Sequence, residues 1–212
     1  NGFGAKLTNI YSTEFIVETA DKQRELKYKQ VFSNHMHDKD KPKITKNTRK
    51  EEYTCITFKP DLSLFHMDSI DPDTEALLMK RVFDMAGTVR GIKVMLNGER
   101  LKIRNFKQYM EMYVQAIQEI SGVPKTESDP SDGGNPVPRP TIVYDASEEL
   151  GRLWEVGFAV SDGTARQVSF VNNIATIKGG KHVDHVESQN GERIMEHLRK
   201  GKKDAPIKAN HI

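Results

Sequence analysis

Four groups of residues have types and spacings that could do chemistry. Asn1-Gly2-Phe3-Gly4-Ala5-Lys6 opens the chain with two glycines flanking an aromatic, then a lysine. Glycine lets backbone approach a ligand closely. A helix starting there would aim free N–H groups and its positive dipole end at an anion. Lys6 could add a point charge. That chemistry is phosphate binding. The same spacing also makes an ordinary turn, because neither the Walker phosphate loop nor the six-residue dinucleotide fingerprint is present.

The second group runs Ser169-Phe170-Val171-Asn172-Asn173-Ile174-Ala175-Thr176, then Gly179-Gly180-Lys181-His182. It reads as a polar loop that leaves a strand and enters a helix, and such a loop can satisfy its own backbone groups. The third is basic. Lys39, Lys41, Lys43, Lys46, Arg49 and Lys50 crowd one segment, and Arg199, Lys200, Lys202 and Lys203 another. Such runs can neutralise nucleic-acid phosphates or can simply be solvated surface. The fourth is two histidine pairs, His35/His37 and His182/His185. A metal needs three or four convergent ligands, and no third ligand stands at a suggestive spacing, so no metal site is expected. Cys55 sits mid-strand, where cysteine is usually a small buried apolar residue. No nucleophile–base arrangement stands out.

The elements that must hold these groups follow from pattern. The glycine turn enters a helix through about Tyr11. Strands are expected over Glu14–Thr19, Lys27–Phe32 and Tyr53–Phe58, with Pro60 ending the last and a charged loop through Lys50 between the second and third. Asp71 reads as an N-cap and Pro72 as the first residue of a helix, with Leu78, Val82 and Met85 on one face and Gly87 as its stop. Ile92–Ile103 reads as a hairpin turning at Asn97-Gly98. A second amphipathic helix carries Phe106, Tyr109, Met110, Tyr113 and Ile117. Gly122–Pro140 holds five prolines and three glycines and reads as a flexible loop. Beyond it, Thr141–Tyr144 and Trp154–Val160 suggest an antiparallel pair, Gln167–Val171 another strand, and Val183–Leu198 a helix weakened at Asn190-Gly191. The expectation is α+β, as two units with helices on one face of each sheet.

Composition sets bounds. With 32 Lys and Arg against 30 Asp and Glu in 212 residues, the net charge of +2 hides the local basic runs. The single cysteine excludes an intrachain disulfide and a four-cysteine zinc site. No run approaches the ~20 apolar residues of a membrane helix, so no membrane partner is expected. The opening Asn1, without an initiator Met, points to a segment of a larger protein.

Taken together, these residues resemble a known family. Asn1 to Leu7 followed by Asn9-Ile10-Tyr11-Ser12 resembles the second glycine box of the type IIA DNA topoisomerases, part of their ATP lid. FIVETAD (15–21), YTCITFKPDLSLF (53–65) and LNGERLKIRNF (96–106) resemble the eukaryotic branch rather than a bacterial gyrase subunit, and SFVNNIATIKGGKHVDHV (169–186) resembles the transducer hallmark. Lys181 departs from a common Thr, and Gly201 interrupts the family's usual lysine run.

The resemblance implies the C-terminal part of a GHKL (Bergerat) ATPase sandwich over 1–105. A transducer like ribosomal S5 domain 2 follows over 106–212, with a flexible loop at about 122–140. It implies ATP and Mg²⁺ as cofactors, double-stranded DNA and a second copy of the chain as partners, and a nuclear location. The function implied is an ATP-operated gate that passes one duplex through a transient break in another, in an ATP-hydrolysing type IIA topoisomerase. The segment alone would be inactive. The expected nucleotide contacts are Asn1, Gly2, Phe3, Gly4, Ala5 and Lys6, and the expected DNA contacts Arg199, Lys200, Lys202 and Lys203. The block from Phe170 to His182 is expected to shape the transducer. No catalytic or metal residue is expected, since the family's catalytic Glu, Mg²⁺-binding Asn and adenine-reading Asp-Gly box lie upstream and its switch lysine downstream. The alternative is an isolated S5-like nucleic-acid-binding or structural module.

Overall fold

The computed structural model describes residues 2–120, 142–149, 152–161 and 164–201. The loop expected at 122–140, together with Asn1, Lys202 and Lys203, lies outside them. The chain forms two compact units, Asn1–Glu75 and Ala76–Ile212.

The first unit begins with helix α1 (Phe3–Ile10) and is built on strands β1 (Ser12–Asp21), β2 (Leu26–Ser33), β3 (Asp38–Lys39), β4 (Lys43–Lys46) and β5 (Tyr53–Pro60), followed by a 3₁₀ turn at Leu62–Phe65. The sheet runs β3-β2-β1-β5, with β4 also on β2. All its pairings are antiparallel. β1 is central because its alternating Phe15, Val17 and Thr19 suit a half-buried strand. Phe15 lies opposite Phe32 on one side and Phe58 on the other. It is buried, edge-on to Phe32 at 6.4 Å between ring centres. The expected charged loop before Lys50 contains two short strands, because β2 offers a free edge along which β3 and β4 can pair.

Asn47 fastens that region. It is 1 % exposed. Its Nδ2 donates to the carbonyls of Asp21 (3.2 Å) and Glu51 (2.7 Å), and its Oδ1 accepts from the Glu51 N–H at 3.1 Å. Its own N–H donates to the Glu25 carbonyl at 2.7 Å. One side chain therefore ties the β4–β5 connection to the β1–β2 turn. That turn is closed by Asp21, whose carboxylate accepts from the N–H groups of Gln23 and Arg24 at 2.8 Å each. These bonds, that of Arg24 foremost, hold the Asp21 carboxyl below its usual range.

The second unit contains most of α2 (Pro72–Thr88), the hairpin β6 (Met95–Leu96) and β7 (Glu99–Arg100), α3 (Phe106–Ile120), the pair β8 (Val143–Glu149) and β9 (Arg152–Phe158), the hairpin β10 (Phe170–Val171) and β11 (Ile174–Ala175), and α4 (Lys181–Gly201). The start of α2 is as expected, Asp71 Oδ1 accepting the Thr74 N–H at 2.7 Å. The Asn97-Gly98 turn has φ of 51° and 83°, as a tight hairpin requires. α4 runs unbroken through Asn190-Gly191.

Gly87 corrects the sequence reading. It lies inside α2 and is buried, and it does not end the helix. A Cβ there would stand 2.6 Å from Tyr109 Cγ, so glycine is set by the approach of α3. Tyr109 is 1 % and Asp84 2 % exposed. The Tyr109 hydroxyl donates to Asp84 Oδ1 at 2.5 Å, and Lys80 Nζ donates to both carboxylate oxygens at 2.9 Å. Burial, then the bond to Asp84, pushes the Tyr109 hydroxyl far above its ordinary range. Phe106 and Phe170 pack on the Tyr109 ring at 6.2 and 5.7 Å. The inward face of α2 is thus Asp84, Ala86 and Gly87, while Leu78, expected on the core face, is 55 % exposed.

Two outcomes are expected. Gly87→Ala drives a methyl into the Tyr109 ring and lowers stability by about 1–3 kcal/mol, read as a fall in the urea midpoint. Asn47→Ala strands two carbonyls and an N–H and costs about 2–4 kcal/mol; hydrogen exchange would show the weakening concentrated in residues 44–51.

Candidate functional site

The glycine box and α1 come first. Gly2 is the N-cap, with φ 83° and ψ −7°, a left-handed conformation that glycine adopts without strain. It supplies no side-chain cap, and the first turn contains no acidic residue. The N–H groups of a helical first turn have no partner within the helix, so this terminus keeps its donors and its partial positive charge available. A Cβ built at Gly2 or Gly4 meets nothing within 4 Å. Protein packing therefore does not demand glycine at Gly4, and open space in front of the backbone is what an approaching anion needs. Phe3, Gly4, Ala5 and Lys6 are all exposed, Phe3 at 68 %.

The far end of α1 is anchored. Ser12 Oγ donates to the Thr8 carbonyl at 2.5 Å, the Tyr11 carbonyl accepts from the Asp61 N–H at 2.9 Å, and the Tyr11 and Phe65 rings sit 5.5 Å apart. Asn9 is buried, and its Oδ1 has no donor among the described residues, a costly state for an acceptor. The residues fit a polyphosphate: backbone donors, one exposed cation and no carboxylate in the first turn. They do not fit a magnesium ion, which wants carboxylate or other oxygen ligands. Among the described residues no group of three His, Cys, Asp or Glu is placed to hold a metal.

The histidines of the two pairs have local partners. His35 Nε2 lies 2.9 Å from Asp61 Oδ2, and His182 Nε2 lies 3.1 Å from Thr176 Oγ1. The hydroxyl of Ser63, then His35, holds the Asp61 carboxyl below its usual range. Cys55 is exposed on β5, against the expectation of burial. It lies opposite Glu18, on the polar face of the sheet.

The second motif is a hairpin. Asn172 and Asn173 have φ of 49° and 64°, left-handed values that asparagine tolerates better than most residues, so the adjacent asparagines are explained by backbone need. Arg81 Nη1 of α2 donates to the Asn173 carbonyl at 2.7 Å. Ser169 Oγ pairs with Thr176 Oγ1, which also meets His182. This block ties α2, the hairpin and the start of α4 together.

Of the four expected DNA contacts, Arg199 and Lys200 are described. Both are exposed in the last turn of α4, where cations complement the helix dipole. Sequence reading missed Asn47 and the group of Asp84, Lys80 and Tyr109. The only signal for the latter was the Lys80/Asp84 spacing of four on one helix face.

A family model for DNA gyrase B matches residues 105–212. The chain is 48 % identical to DNA topoisomerase 2 of Meyerozyma guilliermondii and 46 % identical to that of Arabidopsis thaliana, in each case over its whole length. It spans 15 % and 13 % of those relatives. Among solved structures it is similar to the ATPase region of Saccharomyces cerevisiae topoisomerase II, with 43 % identity, a TM-score of 0.78, and 99 % of this chain and 47 % of that one covered. It also resembles the ATPase and transducer domains of DNA topoisomerase II from Balamuthia mandrillaris, with 34 % identity, a TM-score of 0.74, and 96 % and 46 % covered. The 43K ATPase domain of Thermus thermophilus gyrase B, at 21 % identity, TM-score 0.58 and 98 % and 53 % coverage, shares the fold. These neighbours bear out the α+β, GHKL-type expectation. The chain belongs to the DNA gyrase B family and is similar along its whole length to the ATPase region of DNA topoisomerase 2.

Proposed function

We propose that the intact protein is an ATP-hydrolysing type IIA DNA topoisomerase and that this chain is part of its ATP-operated gate. The observation that carries the reading is the start of α1: an uncapped, glycine-led helix terminus with open space before it, at the head of a chain similar to the yeast topoisomerase II ATPase region. Residues 1–105 are read as the C-terminal part of the ATPase domain and 106–212 as the transducer. The family match beginning at residue 105 supports that division.

The residues here do the work of holding. The backbone donors of Gly2, Phe3, Gly4 and Ala5, with Asn1 before them, cradle the ATP phosphates, and Lys6 places a positive charge beside them. A bound magnesium ion would neutralise phosphate charge, and its ligands belong to residues outside this chain. ATP binding then closes a homodimer around a DNA duplex, in the nucleus. Arg199, Lys200, Lys202 and Lys203 are the residues this reading assigns to its phosphates.

In the intact enzyme Lys6→Ala lowers DNA-stimulated ATP hydrolysis by roughly 10–100-fold, about one charged hydrogen bond, while ATP-independent DNA cleavage persists. Unchanged hydrolysis would remove Lys6 from the site. Changing Arg199, Lys200, Lys202 and Lys203 together to Gln weakens DNA stimulation, most at low salt. It also flattens the salt dependence by about 0.9 in log–log slope for each phosphate no longer neutralised. Full stimulation at every salt concentration would remove these residues from the DNA contact.

A further inference from the structure

The other basic run, at the edge of the first unit's sheet, has no part in the function so far. Lys39 lies on β3, Lys43 and Lys46 on β4, and Lys41 between the two strands. All four are exposed, and among the described residues none forms an ion pair, whereas their neighbours do. Lys27 is paired with Glu51, Lys29 with Glu18 at 3.1 Å and Lys50 with Glu25 at 3.3 Å. From 38 to 50 the chain carries six Lys and Arg against Asp38 and Asp40.

The register sharpens this. Lys43 stands directly opposite Lys29, and Thr45 opposite Lys27. These four line a shallow groove on the polar sheet face with Glu18 and Tyr53. The Lys27 ammonium sits 5.8 Å from the centre of the Tyr53 ring. Like charges directly opposite one another destabilise a sheet. Lysine on an edge strand blocks edge-to-edge pairing, but that task does not require a second lysine across from it. Glu18 answers Lys29 and leaves Lys43 unanswered. The segment is also rigid, because Asn47 fastens the end of β4 to the β1–β2 turn. Uncompensated cations held along one sheet edge, Lys43 on the polar face and Lys39 and Lys46 on the other, are preorganised for a polyanion that lies along that edge.

We propose that the β3–β4 edge, through Lys39, Lys41, Lys43 and Lys46, is a binding surface for the phosphate backbone of duplex DNA in addition to the basic end of α4. It rests on the topoisomerase reading for the choice of DNA as the polyanion. The surface is cationic, with Tyr28 and Tyr53 beside it, and is suited to sequence-independent backbone contact. Lys43 and Lys46, three residues apart on β4, are spaced about 10 Å along the strand and stand on opposite faces of the edge, opposite Lys29 and Leu26, so they reach different phosphates of a backbone that runs along the edge.

The test is site-specific photocrosslinking in the intact enzyme, with benzoylphenylalanine replacing Lys43, Lys59 or Arg199 in turn and a labelled linear duplex as probe. Lys59, exposed on β5 and paired with Glu14 at 2.9 Å, is the control. A duplex crosslink from position 43 and none from 59 is expected. Replacing Lys39, Lys41, Lys43 and Lys46 together by Gln should weaken low-salt duplex affinity at least tenfold and reduce the log–log salt slope by about 2–4. ATP-independent cleavage on saturating DNA serves as the check on folding. No crosslink from 43, or a crosslink there only to an acidic protein segment, overturns the proposal. If position 199 then still crosslinks and DNA still stimulates hydrolysis, the functional reading stands without this surface. If DNA neither crosslinks nor stimulates, both fall.

Discussion

The second unit depends on a carboxylate that has been taken out of water. Asp84 is buried and would be strongly destabilising alone, so its surroundings are arranged to answer it. Lys80 meets both oxygens from one turn earlier, and the Tyr109 hydroxyl closes the remaining direction. For that hydroxyl to arrive, its ring must lie flat against α2, and it can do so only over Gly87. Phe106 and Phe170 then cover the ring. Arg81, on the same helix, holds the hairpin that carries Phe170 through the Asn173 carbonyl. Pairing this buried carboxylate with Lys80, whose side chain is 40 % exposed, adds little net stability compared with apolar packing. Its value here is directional, since oil-like contacts alone would let α3 slide or rotate on α2, whereas a hydroxyl that must find one oxygen fixes the register.

The first unit uses polar fixing of a different kind. Its apolar row, Phe32–Phe15–Phe58, sets which strands pair, and Asn47 decides where the irregular segment lies. One asparagine makes three side-chain bonds to three backbone groups, satisfying groups that a loop would otherwise leave to water. Each unit thus has an apolar cluster for cohesion and a buried polar side chain, Asn47 or Asp84, that sets geometry.

What was legible in the sequence follows from this division. Alternation in 14–19 and 53–58, the Asp71-Pro72 helix start and the Asn97-Gly98 turn are local signals; each is realised, the two strands running on to Ser12–Asp21 and Tyr53–Pro60. The glycine box was legible because its chemistry is carried by backbone. The misreadings are non-local. Gly87 read as a stop because nothing nearby announces that Tyr109, twenty-two residues on, needs the space. Cys55 read as buried because strand centres usually are, yet its face of this sheet is the polar one, bearing Glu18, Lys27 and Lys29. β3 and β4 were hidden by their lysines, since only pairing along the free edge of β2 makes so charged a segment extended.

Helix α1 is clamped at one end only. Its glycine end stands in solvent, while Ser12, Asp61 and Phe65 grip the other. Mechanically that is a cantilever, short and stiff because its backbone bonds run along its length. A load applied at the tip cannot be absorbed by local stretching. It becomes a torque at the root, where the chain turns into β1 beside the bulge at Ser12–Glu14. Whatever grips the tip therefore has leverage over the one strand around which the whole first sheet is assembled.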